Sequence, residues 1–235
     1  MHRILSFLGD SHLRPVEAAI AANLFAPFEC RSEQVGGATA VGLRHPTSKT
    51  QALAVFRERL TPFDPRVIPI FQLGEVDCGF VIWVRSRRYS ESVDEQLSAS
   101  LEAYAGFLRE TRDQGYHDLV VTSATLPTIR DNQLDGEVAL LRAEVKASHR
   151  ERTDLTLEYN NRLAKICATE GLLFADLTSD LIDPETLLLN ERFRHADPKD
   201  HHLNPETAGP VWARRVREVI ELRRNCNDEV WCPRL

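Results

Sequence analysis

The chain has 235 residues, 43% of them hydrophobic and 27% charged, with a formal net charge of −6 at neutral pH. That size supports one sizeable core and falls short of two full domains. An acidic chain lacks the basic surface that nucleic-acid binding requires, and no run approaches the roughly 20 apolar residues of a membrane span. The opening "MHRILSFLGDSHL" has too short an apolar run for a secretory leader and no small-residue cleavage site. A cytoplasmic protein with no membrane and no nucleic-acid partner is the expectation; a homo-oligomer is compatible with it. The five cysteines (Cys30, Cys78, Cys167, Cys226, Cys232) form no CxxC motif, and their odd number favours free thiols over a disulfide framework.

Apolar runs and amphipathic stretches alternate along the chain. "RILSFL" (3–8) is a short continuous apolar run suited to a buried parallel strand. "PVEAAIAANLF" (15–25) reads as a helix, with Pro15 tolerated in its first turn. "FECRSEQVGGATA" (28–40) is a second strand that breaks at Gly36-Gly37. "SKTQALAVFRERL" (48–60) is helical with Ser48 as N-cap, and "RVIPIFQLG" (66–74) is a third strand. The basic cluster "WVRSRRY" (83–89) reads as a solvated face or as a surface for an anionic group. A long helix over about 91–114 ends at Gly115, "DLVVTSATLPT" (118–128) is the fourth strand, and a helix over about 150–170 ends at Gly171. "LLFADL" (172–177) is the fifth strand, and the last helix covers 205–224 with an irregularity at Gly209-Pro210.

Five strands alternating with helices imply an α/β fold: a five-stranded parallel sheet in a three-layer α/β/α sandwich. Residues 1–224 form a single domain in this reading, and 225–235 form a tail. Ligands in such folds bind at the carboxyl ends of the strands. Ser11, Gly36-Gly37 and Gly74-Glu75-Val76-Asp77 therefore converge on one rim.

Ser11 follows a buried strand and precedes a helix, where unpaired N–H groups favour developing negative charge. Asp10 and Ser11 are equally good helix caps, and Asp10-x-His12 is also a metal-ligand spacing. Local sequence leaves these readings open. Taken together and in order, "FLGDSHL", "VGGATA", "QLGEVD" and "DHHLNPE" resemble the SGNH/GDSL hydrolase family across nearly the whole chain. The resemblance implies a flavodoxin-like sandwich, ester hydrolysis without a cofactor or metal, and Ser11 as nucleophile. It also implies a backbone N–H of Gly37 (or Gly36) for the oxyanion, and an acid and a histidine just before the last helix. A serine needs a histidine to take its proton and a carboxylate to orient that histidine.

Two departures from the family pattern stand out. The family's acid lies three residues before its histidine; here Asp200 lies two before His202, and Asp197 four before His201. His202 with Asp200 is the preferred pair, with His201 and Asp197 in reserve. The family's third block is Gly-x-Asn-Asp, whose Asn donates to the oxyanion, but Val76 occupies that place. Glu75, held protonated by burial, is one substitute donor. Glu75 and Asp77 are otherwise helix caps or partners of Arg85 or Arg88. The expected substrate is a small-molecule or glycan ester with a small, acetyl-like acyl group. The rival readings are an acyltransferase with the same triad, a metal-dependent phosphoesterase, and a non-catalytic binding protein on the same fold.

Overall fold

The apolar runs of the sequence pair as parallel strands. In the computed structural model, which describes residues 2–133, 138, 140 and 145–228 with side chains to Arg223, the strands are β1 (Ile4–Gly9), β2 (Glu29–Gln34), β3 (Val67–Gln72), β4 (Val120–Thr122) and β5 (Leu173–Ala175). Their order is β2-β1-β3-β4-β5. β1 pairs along its whole length with both neighbours, Ile4 opposite Glu29 on one side and Val67 on the other. The helices are α1 (Arg14–Ala21), α2 (Ala52–Arg59), α3 (Ile82–Tyr89), α4 (Val93–Asp113), α5 (His149–Glu170), the short α6 (Thr178–Leu181) and α7 (Pro205–Asp228).

Alternation along the central strands divides the core between the two sheet faces. Ile4, Leu8, Val67, Phe71 and Val121 point to one face and pack against α2, α4 and α5, where Phe56, Tyr104, Phe107 and Tyr159 fill the layer. Leu5, Phe7, Ile68, Ile70 and Val120 point to the other and meet α1 and α7, with Trp212 fully buried between them. Both long helices of the first face start with a capping box: Ser92 and Glu95 open α4, and Ser148 and Glu151 open α5. Among the described residues, no helix is long and apolar enough to cross a membrane.

Several boundaries differ from the expectation, each for a local reason. α2 begins at Ala52 because a turn over Ser48–Gln51, closed by a 3.0 Å bond from Gln51 N to Ser48 O, delays the helix; Ser48 is not its cap. β4 ends at Thr122 because Asn160 of α5 takes over the backbone of Ala124, accepting from its N–H at 2.8 Å and donating to its carbonyl at 2.9 Å. The basic cluster at 83–89 lies on α3, which follows a π-helical turn over Asp77–Val81 and is absent from the sequence reading. Arg85 there bonds Gln96 and stacks on Tyr89, rather than meeting Glu75 or Asp77. α7 runs through Pro210 and on to Asp228, past the expected boundary at 224. Residues 229–235 of the expected tail lie outside the described residues. Cys30, Cys78 and Cys167 are free thiols; the side chains of Cys226 and Cys232 lie outside the description.

Candidate active site

The strand order reverses direction at β1 and β3, and the crevice at their carboxyl ends is where this topology binds ligands. The two backbones approach closely there. A Cβ on Gly9 would sit 2.4 Å from the Gln72 carbonyl oxygen, so no larger residue fits. Asp10 then caps a 3-10 turn over Ser11–Leu13, its Oδ1 accepting from His12 N at 2.8 Å. Burial pushes the Asp10 carboxyl up to about 7, and the bond from His12 only partly offsets this. Ser11 is half-buried at the rim, between the end of β1 and the start of α1.

The second element is the loop before α7. Asn204 Oδ1 accepts from Glu206 N at 2.9 Å, which starts the helix at Pro205. Asn204 N donates to the Phe193 carbonyl at 2.8 Å, and the Thr128 hydroxyl donates to the His201 carbonyl. In this pinned loop, Asp200 Oδ1 lies 2.6 Å from His202 Nδ1 and also accepts from His202 N at 2.9 Å. The other oxygen, Oδ2, accepts from Arg14 Nη1 at 2.7 Å. Burial opposes ionisation of Asp200, but the bonds from His202 and the Arg14 charge prevail and hold its carboxyl down to about 2.

With Nδ1 donating to Asp200, Nε2 of His202 carries the lone pair. That nitrogen is buried and has no hydrogen-bond partner among the described residues. Burial lowers the imidazole from 6.5 to about 3, helped by the neighbouring His12 and His201. The ring of His12, the residue after Ser11, lies 5.0 Å from that of His202 between centroids. The turn over Ser11–Leu13 and the His202–Asp200 pair therefore adjoin.

Glu75, expected as an oxyanion donor, meets His12 instead. Its Oε2 lies 2.8 Å from His12 Nε2, and both side chains are at most 1% exposed. This contact bridges the ends of β1 and β3. Asp77 is also fully buried. It accepts from Ala40 N (2.8 Å), Val41 N (3.1 Å) and the Ser100 hydroxyl (2.7 Å), tying the segment after β2 to α4. That segment starts with Gly36-Gly37 at the centre of a turn closed by Ala38 N to Val35 O at 3.0 Å. Gly37 has φ +70°, the conformation that a type II turn requires at its third position. Both glycines are exposed on the rim. Val76, after β3, is half-buried, and its side chain has no donor to offer.

Asp197 caps a turn, accepting from Lys199 N at 2.9 Å, while its own N–H meets His195 Nδ1 at 3.1 Å. The His201 ring stacks on His202 at 4.0 Å. Two contacts of the site are not expected from the sequence, although His12 is named there with Asp10 as a metal-ligand spacing. Arg14 reaches Asp200 across 186 positions, and His12 reaches Glu75 across 63; neither separation leaves a local signal. The arrangement supplies a rim hydroxyl, a neutral imidazole with an orphaned lone pair, and a carboxylate that can balance a charge on that imidazole.

No family model matches the chain, and no curated protein matches it by sequence. Solved structures do. A GDSL-like lipase from Bacteroides thetaiotaomicron VPI-5482 is 15% identical, with a TM-score of 0.60 over 94% of this chain and 89% of its own. A carbohydrate acetylesterase from Sinorhizobium meliloti is 13% identical, with a TM-score of 0.58 over 94% and 99%. A catalytic mutant of an acetylxylan esterase from Geobacillus stearothermophilus is 14% identical, with a TM-score of 0.57 over 94% and 95%. Topology, a five-stranded parallel sheet between helices and near-complete coverage agree: this chain has the fold of the SGNH/GDSL hydrolases.

Proposed function

We propose that the protein hydrolyses carboxylic esters through an acyl-enzyme formed on Ser11. The observation that carries this reading is the His202–Asp200 pair, bonded at 2.6 Å, with the opposite imidazole nitrogen buried and unpartnered beside the turn that bears Ser11. Ser11 Oγ attacks the ester carbonyl, and its proton passes to His202 Nε2. Asp200 stabilises the imidazolium, which returns the proton to the leaving alcohol. Water then repeats the sequence in reverse roles and frees the acid. An imidazole held near 3 is a weak base, and the negative charge growing on the carbonyl oxygen during attack offsets that weakness.

The backbone N–H groups of Ser11 and Gly37 stabilise that oxyanion. Loss of the family's Asn donor costs about 10²–10³ in rate in comparable enzymes, so a slow or specialised hydrolase is expected. A small acyl group on a sugar or another polar alcohol is the preferred substrate class. Two proteins of this fold, the carbohydrate acetylesterase and the acetylxylan esterase, support it by analogy.

The test is intact mass after exposure to a serine-directed fluorophosphonate with EDTA present, on wild type and Ser11→Ala. One adduct on wild type and none on the variant is the expected result. Folded wild type that takes up no adduct refutes an activated Ser11.

A further inference from the structure

His12, His201 and His202 each offer a ring nitrogen, and these three atoms lie within 4.8 Å of one another. We propose that the three histidines bind one divalent transition cation of the Zn2+ class, and that this cation competes with catalysis for His202. The competition rests on the hydrolase reading; the binding does not.

Three observations carry the binding. The first is ligand chemistry. Three imidazoles plus one open position form a recurrent tetrahedral zinc set, with Zn–N about 2.0–2.1 Å and hence about 3.4 Å between ligand nitrogens. From separations of at most 4.8 Å, the rings close by no more than about 1.4 Å, within reach of small side-chain rotations. The second is the surrounding shell. Zinc-bound histidines characteristically turn their second nitrogen to a carboxylate, which fixes the ring and raises its basicity. Here Asp200 meets His202 Nδ1 at 2.6 Å, which leaves Nε2 to the cation, and Glu75 meets His12 Nε2 at 2.8 Å, so His12 would ligate through Nδ1. Both carboxylates place negative charge beside the cation, that of Asp200 being shared with Arg14 at 2.7 Å. The third is the orphan: Nε2 of His202 is buried with no hydrogen-bond partner among the described residues, and a cation would satisfy it.

Access is consistent with a loadable site. His12 and His202 are buried, whereas His201 is half-exposed and forms the solvent side. A cation on Nε2 of His202 occupies the lone pair that must take the Ser11 proton, so the loaded protein is an inactive serine hydrolase.

The experiment uses the untagged 235-residue chain, stripped with EDTA and titrated with Co2+ and then Zn2+. One equivalent of Co2+ is expected to give the intense visible absorption of four-coordinate cobalt, and Zn2+ is expected to displace it. His201→Gln should abolish that spectrum, with far-ultraviolet circular dichroism reporting the fold. Glu75→Gln should weaken Zn2+ binding about 10–100-fold. Wild type that binds no Co2+ or Zn2+ at micromolar concentration overturns the proposal, as does folded His201→Gln with an unchanged spectrum. Fluorophosphonate labelling of stripped and Zn2+-loaded wild type separates the two readings. Labelling only when stripped supports competition, and equal labelling in both states overturns it. Cation binding with labelling in neither state leaves the binding site established and defeats the hydrolase reading.

Discussion

The contact between Glu75 and His12 gives the sharpest prediction about how the site is held together. It joins the ends of the two central strands at 2.8 Å, with Glu75 fully buried and His12 1% exposed. Removing one partner of such a pair leaves the other buried without its compensating group, which typically costs about 3–5 kcal/mol. Glu75→Ala should therefore destabilise the protein by about that amount. For a chain of this length each kcal/mol lowers the melting temperature by about 2–4 °C, so a fall of about 6–20 °C is expected. Replacing both partners by apolar residues, His12→Leu with Glu75→Leu, removes the polar groups together and should recover most of the loss. Urea unfolding followed by tryptophan fluorescence, on wild type, Glu75→Ala, His12→Leu, Glu75→Leu and the double leucine variant, gives both the loss and, from the leucine cycle, the coupling. A Glu75→Ala variant within about 0.5 kcal/mol of wild type, or no coupling between the two sites, would refute the reasoning.

Three other outcomes follow from the same geometry. Asp200→Asn should lower kcat by about 10³–10⁴ while Asp197→Ala leaves it near wild type, read by hydrolysis of an aryl acetate; equal effects of the two would contradict the placement of Asp200 on His202. His202 is depressed from 6.5 to about 3, so the unfolded chain takes up its proton first, and this group's contribution to stability disappears as pH falls from 6.5 through 3. Asp10, raised to about 7, acts in the opposite sense: its contribution is full below its ordinary 3.8 and disappears as pH rises through 7. Wild type minus His202→Gln should thus lose stability on acidification below 6.5, and wild type minus Asp10→Asn should lose it on moving from 4 to 7, each measured by denaturant unfolding across that range. Asp77→Ala removes the acceptor of two buried backbone N–H groups, so hydrogen exchange at Ala40 and Val41 should accelerate selectively. Protection unchanged at both amides would show that the carboxylate does not hold that segment.

The parts of this fold that are legible in sequence are those written in local pattern. β1 and β3 are continuous apolar runs because helices cover both faces, and the serine–glutamate boxes that open α4 and α5 are short-range signals. α3 is illegible by the same standard: Phe80 to Tyr89 has a basic half and an apolar half that suit a surface as well as a helix. The order of the four chemical blocks placed Ser11, His202 and Asp200 at strand ends and before a helix. The contacts that surround them, His12 with Glu75 and Arg14 with Asp200, span 63 and 186 positions, and no periodicity encodes those. Glu75 shows the difficulty well. Its neighbours in sequence suggest an oxyanion donor or a cap, whereas its neighbour in space is an imidazole.

The polar second strand has a consequence for how molecules of this protein meet one another. Among the described residues β2 pairs only with β1, so its far side is there an open row of backbone donors and acceptors. Its sequence, Glu-Cys-Arg-Ser-Glu-Gln, places Glu29, Arg31 and Glu33 along that row, with Glu33 further engaged by Arg59 at 2.7 Å. Charge on an edge discourages a foreign strand from docking, because its approach strips water from those groups. The opposite edge is guarded differently: β5 is three residues long and offers almost nothing to extend. An incoming strand would have to desolvate charges on one side and would find too short a template on the other. The sheet is built to stop at five, and neither edge invites a further strand.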